Sequence, residues 1–107
     1  MRIFNRLQRT REIKPPPHLV RLYTELLKAL NTDSTTIAAP ETIGPYIVDF
    51  CIYPQRVAIL IGRPQRKSRE SYLANIGMRV LIFTSGEAEE SAASVAQRIA
   101  GYCKELG

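Results

Sequence analysis

The sequence predicts a single domain of the α/β class, built as a three-layer sandwich around a small mixed sheet. Apolar residues recur at helical spacing near both ends of the chain, and the stretch GPYIVDFCIYPQRVAILIG contains two strands joined by a short turn. A further helix between Ile61 and Val80 would connect two parallel strands by a right-handed crossover. With 107 residues, the chain can bury one modest core.

The first predicted element is a helix that follows the stiff stretch KPPPHL. Pro17 suits the first helical position, and the helix should end near Asn31. His18 stands at its start, where we expect a polar contact and not metal binding, because no second ligand candidate is visible. The face predicted to be buried has the i, i+3, i+4, i+7 spacing and comprises Leu19, Leu22, Tyr23, Leu26, Leu27 and Leu30.

The middle of the chain reads as strands. Residues 36–39 are predicted to form a short edge strand after the loop NTDSTT. Residues 46–53 alternate between two strand faces, and a turn at Pro54 and Gln55 should return the chain as an antiparallel partner. Residues 57–61 are apolar at every position, which is expected of a central strand covered on both sides.

The last third alternates between helix and strand. The stretch YLANIG predicts a short helix ended by Gly77, and RVLIF predicts another buried strand. Thr84 and Glu87 have the spacing of a capping box at the start of a helix. The buried face predicted for the final helix comprises Ala92, Val95, Ala96, Ile99 and Cys103.

Charge favours a polyanionic partner, since the net charge is +5 and the isoelectric point about 9.6. The excess is concentrated in the N-terminal residues 1–14 and in the loop RPQRKSR, which follows the central strand where ligands commonly bind in α/β sheets. The alternative for this loop is a solvated cationic surface. The candidate phosphate-contacting residues are Arg2, Arg6, Arg9, Arg11, Lys14, Arg63, Arg66, Lys67 and Arg69.

Residues 1–17 are predicted to be a basic arm with a proline-rich linker, and residues 18–107 to be the folded domain. The arm has the composition of a mitochondrial targeting segment, of a basic arm on nucleic acid, or of a solvated tail. No stretch approaches the roughly 18 apolar residues of a membrane span. Cys51 and Cys103 are too few for a disulfide framework or a zinc site, and predict buried free thiols in a reducing compartment.

Two stretches, IGPYIVDFCI and YLANIGMRVLIF, resemble the RAP domain, a module of organellar RNA-associated proteins. The resemblance covers roughly residues 18–105. It implies a restriction-endonuclease-like fold, with a helix-β-β-β-helix-β core and here an added C-terminal helix. In active nucleases of that fold, an aspartate corresponding to Asp49 and an acid on the next strand bind a divalent metal.

The sequence departs from that pattern where the metal ligands should be. If Gly62 is matched to the glycine of the family motif, the acidic positions fall on Ile59 and Ile61, which cannot bind a metal. The third strand also has no lysine. We therefore expect no metal, no cofactor and no catalysis, with Asp49 kept as a vestigial site position that hydrogen-bonds loop or helix-end amides near the sheet rim.

The resulting expectation is a non-catalytic RNA-binding domain within an organellar ribonucleoprotein, such as a mitochondrial ribosome, in contact with ribosomal RNA and other proteins. Another organelle or the cytoplasm stays open. One alternative is a divergent nuclease that uses Asp49 with Glu41 or Glu70 as a displaced second acid. Another is a protein–protein scaffold that docks through the acidic start of the last helical region, formed by Glu87, Glu89 and Glu90.

Overall fold

The computed structural model describes residues 16–30, 34–62 and 67–106. The elements in these ranges are, in chain order, α1 (Pro17–Ala29), β1 (Thr36–Ala38), β2 (Glu41–Ile43), β3 (Tyr46–Val48), β4 (Phe50–Tyr53), β5 (Val57–Ile61), α2 (Lys67–Asn75), β6 (Arg79–Phe83), α3 (Ser85–Glu90) and α4 (Ala92–Leu106).

Four strands form one mixed sheet in the order β1-β4-β5-β6. β4 pairs antiparallel with both β1 and β5, whereas β5 and β6 run parallel and are joined through α2. This confirms the predicted edge strand, hairpin and parallel pair. Residues 46–53 do not form one strand, however, because the chain breaks at Asp49 and β3 pairs with β2 in a separate hairpin.

Helices cover both faces of this sheet, which confirms the α/β class and the layered arrangement. On one face, Phe50, Ile59 and Phe83 pack in a core with buried residues of α1, α3 and α4. On the other face, Ala58 and Leu60 pack in a second core with α2. β5 is buried at all five positions, as its unbroken apolar sequence predicts.

The helix ends follow local sequence signals. Gly77, at φ +87°, ends α2: its N–H donates to the Ala74 carbonyl, and the Met78 N–H donates to the Leu73 carbonyl. This is the Schellman arrangement that a C′ glycine permits. The capping box is also confirmed, because the Thr84 hydroxyl accepts from the Glu87 N–H while the Glu87 carboxylate accepts from the Thr84 N–H.

The two long helices match their predicted faces to different degrees. All five predicted residues of α4 are buried, with Ile99 fully so. On α1, Leu22, Leu26 and Leu30 are buried, but Tyr23 is 37% exposed and Leu27 is 48% exposed. The prediction that these last two side chains belong to the core is therefore wrong. The apolar residues of α1 cover a wider part of the helix surface than the part that packs against neighbouring elements.

The structure also bears on three smaller predictions, which concern His18, the two cysteines and membrane-spanning helices. His18 does make a polar contact, with its Nδ1 3.6 Å from Glu89 Oε2 on α3. Cys51 and Cys103 are buried free thiols, and burial raises the pKa of both. Within the described ranges, no helix has the length and apolar character to cross a membrane.

Candidate functional site

The candidate site lies at the C-terminal end of β5, and Asp49 is at its centre. The Asp49 N–H donates to the Ile59 carbonyl over 3.1 Å, and its carboxylate Oδ2 accepts from the Ile61 N–H over 2.7 Å. At the break between β3 and β4, the Asp49 side chain thus accepts a hydrogen bond from the β5 backbone. Such a charge-assisted bond is short and strong. The prediction that Asp49 bonds to backbone amides holds, but the donor belongs to the strand, not to a loop or helix end.

The structure shows on which face of the sheet each residue beside Asp49 lies. Ile59 and Ile61 point into the core with α1, α3 and α4, on one face of the sheet. The two bonds of Asp49 to Ile59 and Ile61 bracket Leu60, which packs on the opposite face with α2. Because strand side chains alternate, a second acid beside Asp49 would replace Leu60 or follow at Gly62, not at the isoleucines. Neither position supplies a metal ligand.

Gly62 follows β5 and lies against the start of α3. It has φ +68°, and its N–H donates to the Phe83 carbonyl over 2.8 Å. A Cβ at this position would collide with the Ser85 hydroxyl. Glycine is therefore favoured by the left-handed backbone, and any larger residue would also require the Ser85 side chain to rotate away.

The basic residues predicted to bind phosphate divide into three groups. Lys67 lies exposed in the first turn of α2. Arg69 lies in the same turn but is only 5% exposed, so it is not part of an exposed loop surface, and the stretch RPQRKSR is partly helical. The remaining candidates lie outside the described residues, namely Arg2, Arg6, Arg9, Arg11, Lys14, Arg63 and Arg66.

Charge is divided unequally along the sequence. Residues 1–14 and 63–69 carry nine basic residues and one acidic residue. The rest of the chain carries six basic and nine acidic residues, so the positive excess lies entirely in those two stretches. They are the predicted arm and the predicted loop.

The acids considered as partners of Asp49 have other surroundings. Glu41 accepts a hydrogen bond from the Tyr53 hydroxyl over 2.9 Å, while Cys51 also hydrogen-bonds Tyr53 and raises its pKa. Glu70 is half-buried in the first turn of α2. Within residues 16–30, 34–62 and 67–106, histidine, cysteine, aspartate and glutamate side chains form no group of three or more that could hold a metal ion.

The structural role of one arginine, in the turn before β5, was not predicted from the sequence. Arg56, at φ +61°, extends its guanidinium to the carbonyl of Ile76 over 2.6 Å, and its own carbonyl accepts from the Arg79 N–H. It therefore connects the turn before β5 to the C-terminal end of α2, where a cation also suits the helix dipole, and to the start of β6. No sequence periodicity marks such a role, because it depends on the left-handed turn before β5.

Comparisons with known proteins do not add a family. No protein-family model matches this chain, and the curated proteins include no match to it.

Proposed function

We propose that this chain is a non-catalytic RNA-binding domain of an organellar ribonucleoprotein, in contact with ribosomal RNA and with other proteins of that assembly. The observation that carries the proposal is the separation of charge. Residues 1–14 and 63–69 carry nine basic residues against one acidic residue, whereas the rest of the chain carries six basic and nine acidic residues. Cationic segments of this kind bind phosphates through counterion release, with little dependence on base sequence.

The arrangement around Asp49 supports the absence of catalysis. Hydrolysis of a phosphodiester by this type of site needs at least two hard oxygen ligands that converge on a metal. The Asp49 carboxylate is 8% exposed and already accepts the Ile61 N–H, and the adjoining strand offers isoleucine, leucine and glycine. Asp49 thus acts in the fold by holding the end of β5.

The loop after β5 gives the sharpest test of RNA contact. Replacing Arg66 and Lys67 together with alanine should weaken binding of a structured RNA by about tenfold, and equally for unrelated sequences, since two phosphate contacts would be lost. A matched variant, Arg79→Ala with Lys104→Ala, removes the same charge from exposed positions elsewhere. Equal weakening by both pairs would show that only net charge matters and would reject a site at this edge.

A cleavage assay tests the non-catalytic half of the proposal. Purified chain with magnesium or manganese should leave structured RNA, single-stranded DNA and duplex DNA intact over hours. Cleavage that is abolished by Asp49→Asn, a nearly isosteric change, would establish the nuclease alternative instead. Folding of the variant must be checked by circular dichroism, because Asp49 also anchors β5.

The organellar setting rests on the resemblance to the RAP domain, and the composition of residues 1–17 allows it to be tested separately. Fused to a fluorescent protein, this segment should direct it to mitochondria, as an arginine-rich segment poor in acids does. A diffuse signal would show that residues 1–17 are not a targeting segment, which leaves the RNA-binding test unaffected.

A further inference from the structure

The exposed side of α1 has an apolar stripe, defined here as Val20, Tyr23 and Leu27. Their exposed fractions are 49%, 37% and 48%, and the spacing i, i+3, i+7 places them in one row along the helix. Large exposed apolar residues scattered singly need no explanation, but three in one row form a surface. Only two other large apolar side chains among the described residues are exposed to this degree, Ile47 and Ile76.

Part of this stripe is held rigidly by the core. The Tyr23 ring stacks on the buried Phe50 of β4, with the ring centroids 6.3 Å apart and the planes 9° apart. Directly behind the stripe, Leu22 and Leu26 are fully buried. The stripe is consequently a preformed surface, and a partner would bind it with little loss of conformational freedom.

Two basic residues, with the acidic Glu25 between them, lie beside the stripe and leave one net positive charge there. Arg21 and Lys28 are exposed and lie one position beyond Val20 and Leu27, about 100° further around the helix. Lys28 Nζ is 3.5 Å from Glu25 Oε2, but its side chain stays 70% exposed. A partner that covers the stripe would bring its own flanking residues next to these two cations.

This charge pattern selects among possible occupants. A second copy docked through α1 would place Arg21, Glu25 and Lys28, with their net charge of +1, against an identical row of the same charge, which is unfavourable. The N-terminal segment of the same chain is a poor match as well, since residues 1–14 carry five basic residues and one acidic residue. The favourable occupant has apolar residues at helical spacing and acidic residues beside them.

We infer that the apolar stripe of α1 is a docking site for an acidic amphipathic helix of another protein. The apolar side chains of that helix would pack on Val20, Tyr23 and Leu27, and its carboxylates would pair with Arg21 and Lys28. This surface is formed by α1 and not by the end of β5, so it would allow the domain to hold a protein and an RNA at the same time.

The test uses the full ¹⁵N-labelled chain and two synthetic 18-residue helical peptides. Both peptides carry leucines at i, i+3, i+7 and i+10, one with glutamates and the other with lysines at the flanking positions. The acidic peptide should shift backbone amide resonances of α1 and bind at least tenfold more tightly than the basic peptide. Equal binding of the two peptides, no binding of the acidic one, or shifts centred elsewhere would overturn the inference.

Two paired variants locate the contact. Val20→Gln with Leu27→Gln should weaken the acidic peptide by about tenfold or more, because truncation of central apolar contacts commonly costs this much. Ile47→Gln, at a 53% exposed position on β3, should leave it unchanged. Arg21→Glu with Lys28→Glu should reverse the preference between the peptides, and Lys104→Glu should not.

Other classes of ligand are separated by the same variants. The glutamine pair should retain wild-type affinity for structured RNA, so failure of this inference and failure of RNA binding can be told apart. If RNA or anionic phospholipid vesicles shift the α1 resonances and the acidic peptide does not, the stripe belongs to a nucleic-acid or membrane contact and the inference is rejected.

Discussion

The two long helices α1 and α4 lie on the same face of the sheet and pack against each other, yet their outer surfaces differ. The exposed positions of α4 are polar or small, such as Gln97, Gly101 and Lys104. The outer surface of α1 includes Val20 and Leu27. Both helices bury one apolar face, so the excess on α1 is not needed for the core. A helix whose apolar arc is wider than its packed face has surface available for a partner.

Truncation of the buried faces should give the largest effects and should be similar on the two helices. Leu26→Ala on α1 and Ile99→Ala on α4 should each lower the free energy of unfolding by about 2–5 kcal/mol, because both side chains are fully buried. Chemical denaturation of each variant measures this. A large loss on one helix alone would mean that the two faces do not share one core.

Alkaline pH should lower the free energy of unfolding through the two buried thiols. Burial raises the pKa of Cys103 above its ordinary value of 9.0, so the thiol ionises in the unfolded chain before it does in the folded one. The contribution is complete below pH 9 and is lost as the pH rises towards the folded pKa, by at most about 1.4 kcal/mol per pH unit. Cys51 behaves in the same way on β4.

Denaturation under reducing conditions between pH 7.5 and 10 tests this effect. The wild-type free energy of unfolding should fall above pH 9, and Cys103→Ala should fall less steeply because one of the two thiols is gone. An identical decline in the two proteins would show that Cys103 does not take part.

The smallest effect is expected on the outer surface. Leu27→Ala should change the free energy of unfolding by only a few tenths of a kcal/mol, since the side chain is half exposed and alanine favours helix. Gln97→Ala on α4 is the matched control and should behave alike. A loss above about 1 kcal/mol at Leu27 alone would mean that this residue is packed against part of the chain, and the docking surface would be withdrawn.

Local patterns in the sequence were sufficient for most elements. The face of α4 could be predicted because polar residues separate its apolar positions, and the Schellman and capping-box signals fix two helix ends. The face of α1 could not, because Tyr23 and Leu27 satisfy helical spacing as well as Leu22 does. Packing of the neighbouring elements, which no local pattern records, decides which side of a wide apolar arc is buried.

The site was harder to predict for a related reason. β5 is apolar at every position, so its sequence does not reveal which residues share a face with Asp49. At the break, the Asp49 carboxylate accepts the Ile61 N–H in place of a backbone carbonyl, and the sequence of the strands does not predict such a bond. The burial of Arg69 was likewise hidden, because the stretch from Lys67 to Arg69 has a loop-like composition and yet begins α2.

If RNA binds through the charged segments as proposed, its affinity should depend strongly on salt concentration. Binding of the wild-type chain to a structured RNA should be measured from about 50 to 300 mM monovalent salt. If about four of the cationic side chains contact phosphates at once, log affinity should fall against log salt with a slope of about −3 to −4. Absence of binding at the lowest salt would show that the chain does not bind RNA. A slope near zero would show that binding does not depend on phosphate contacts.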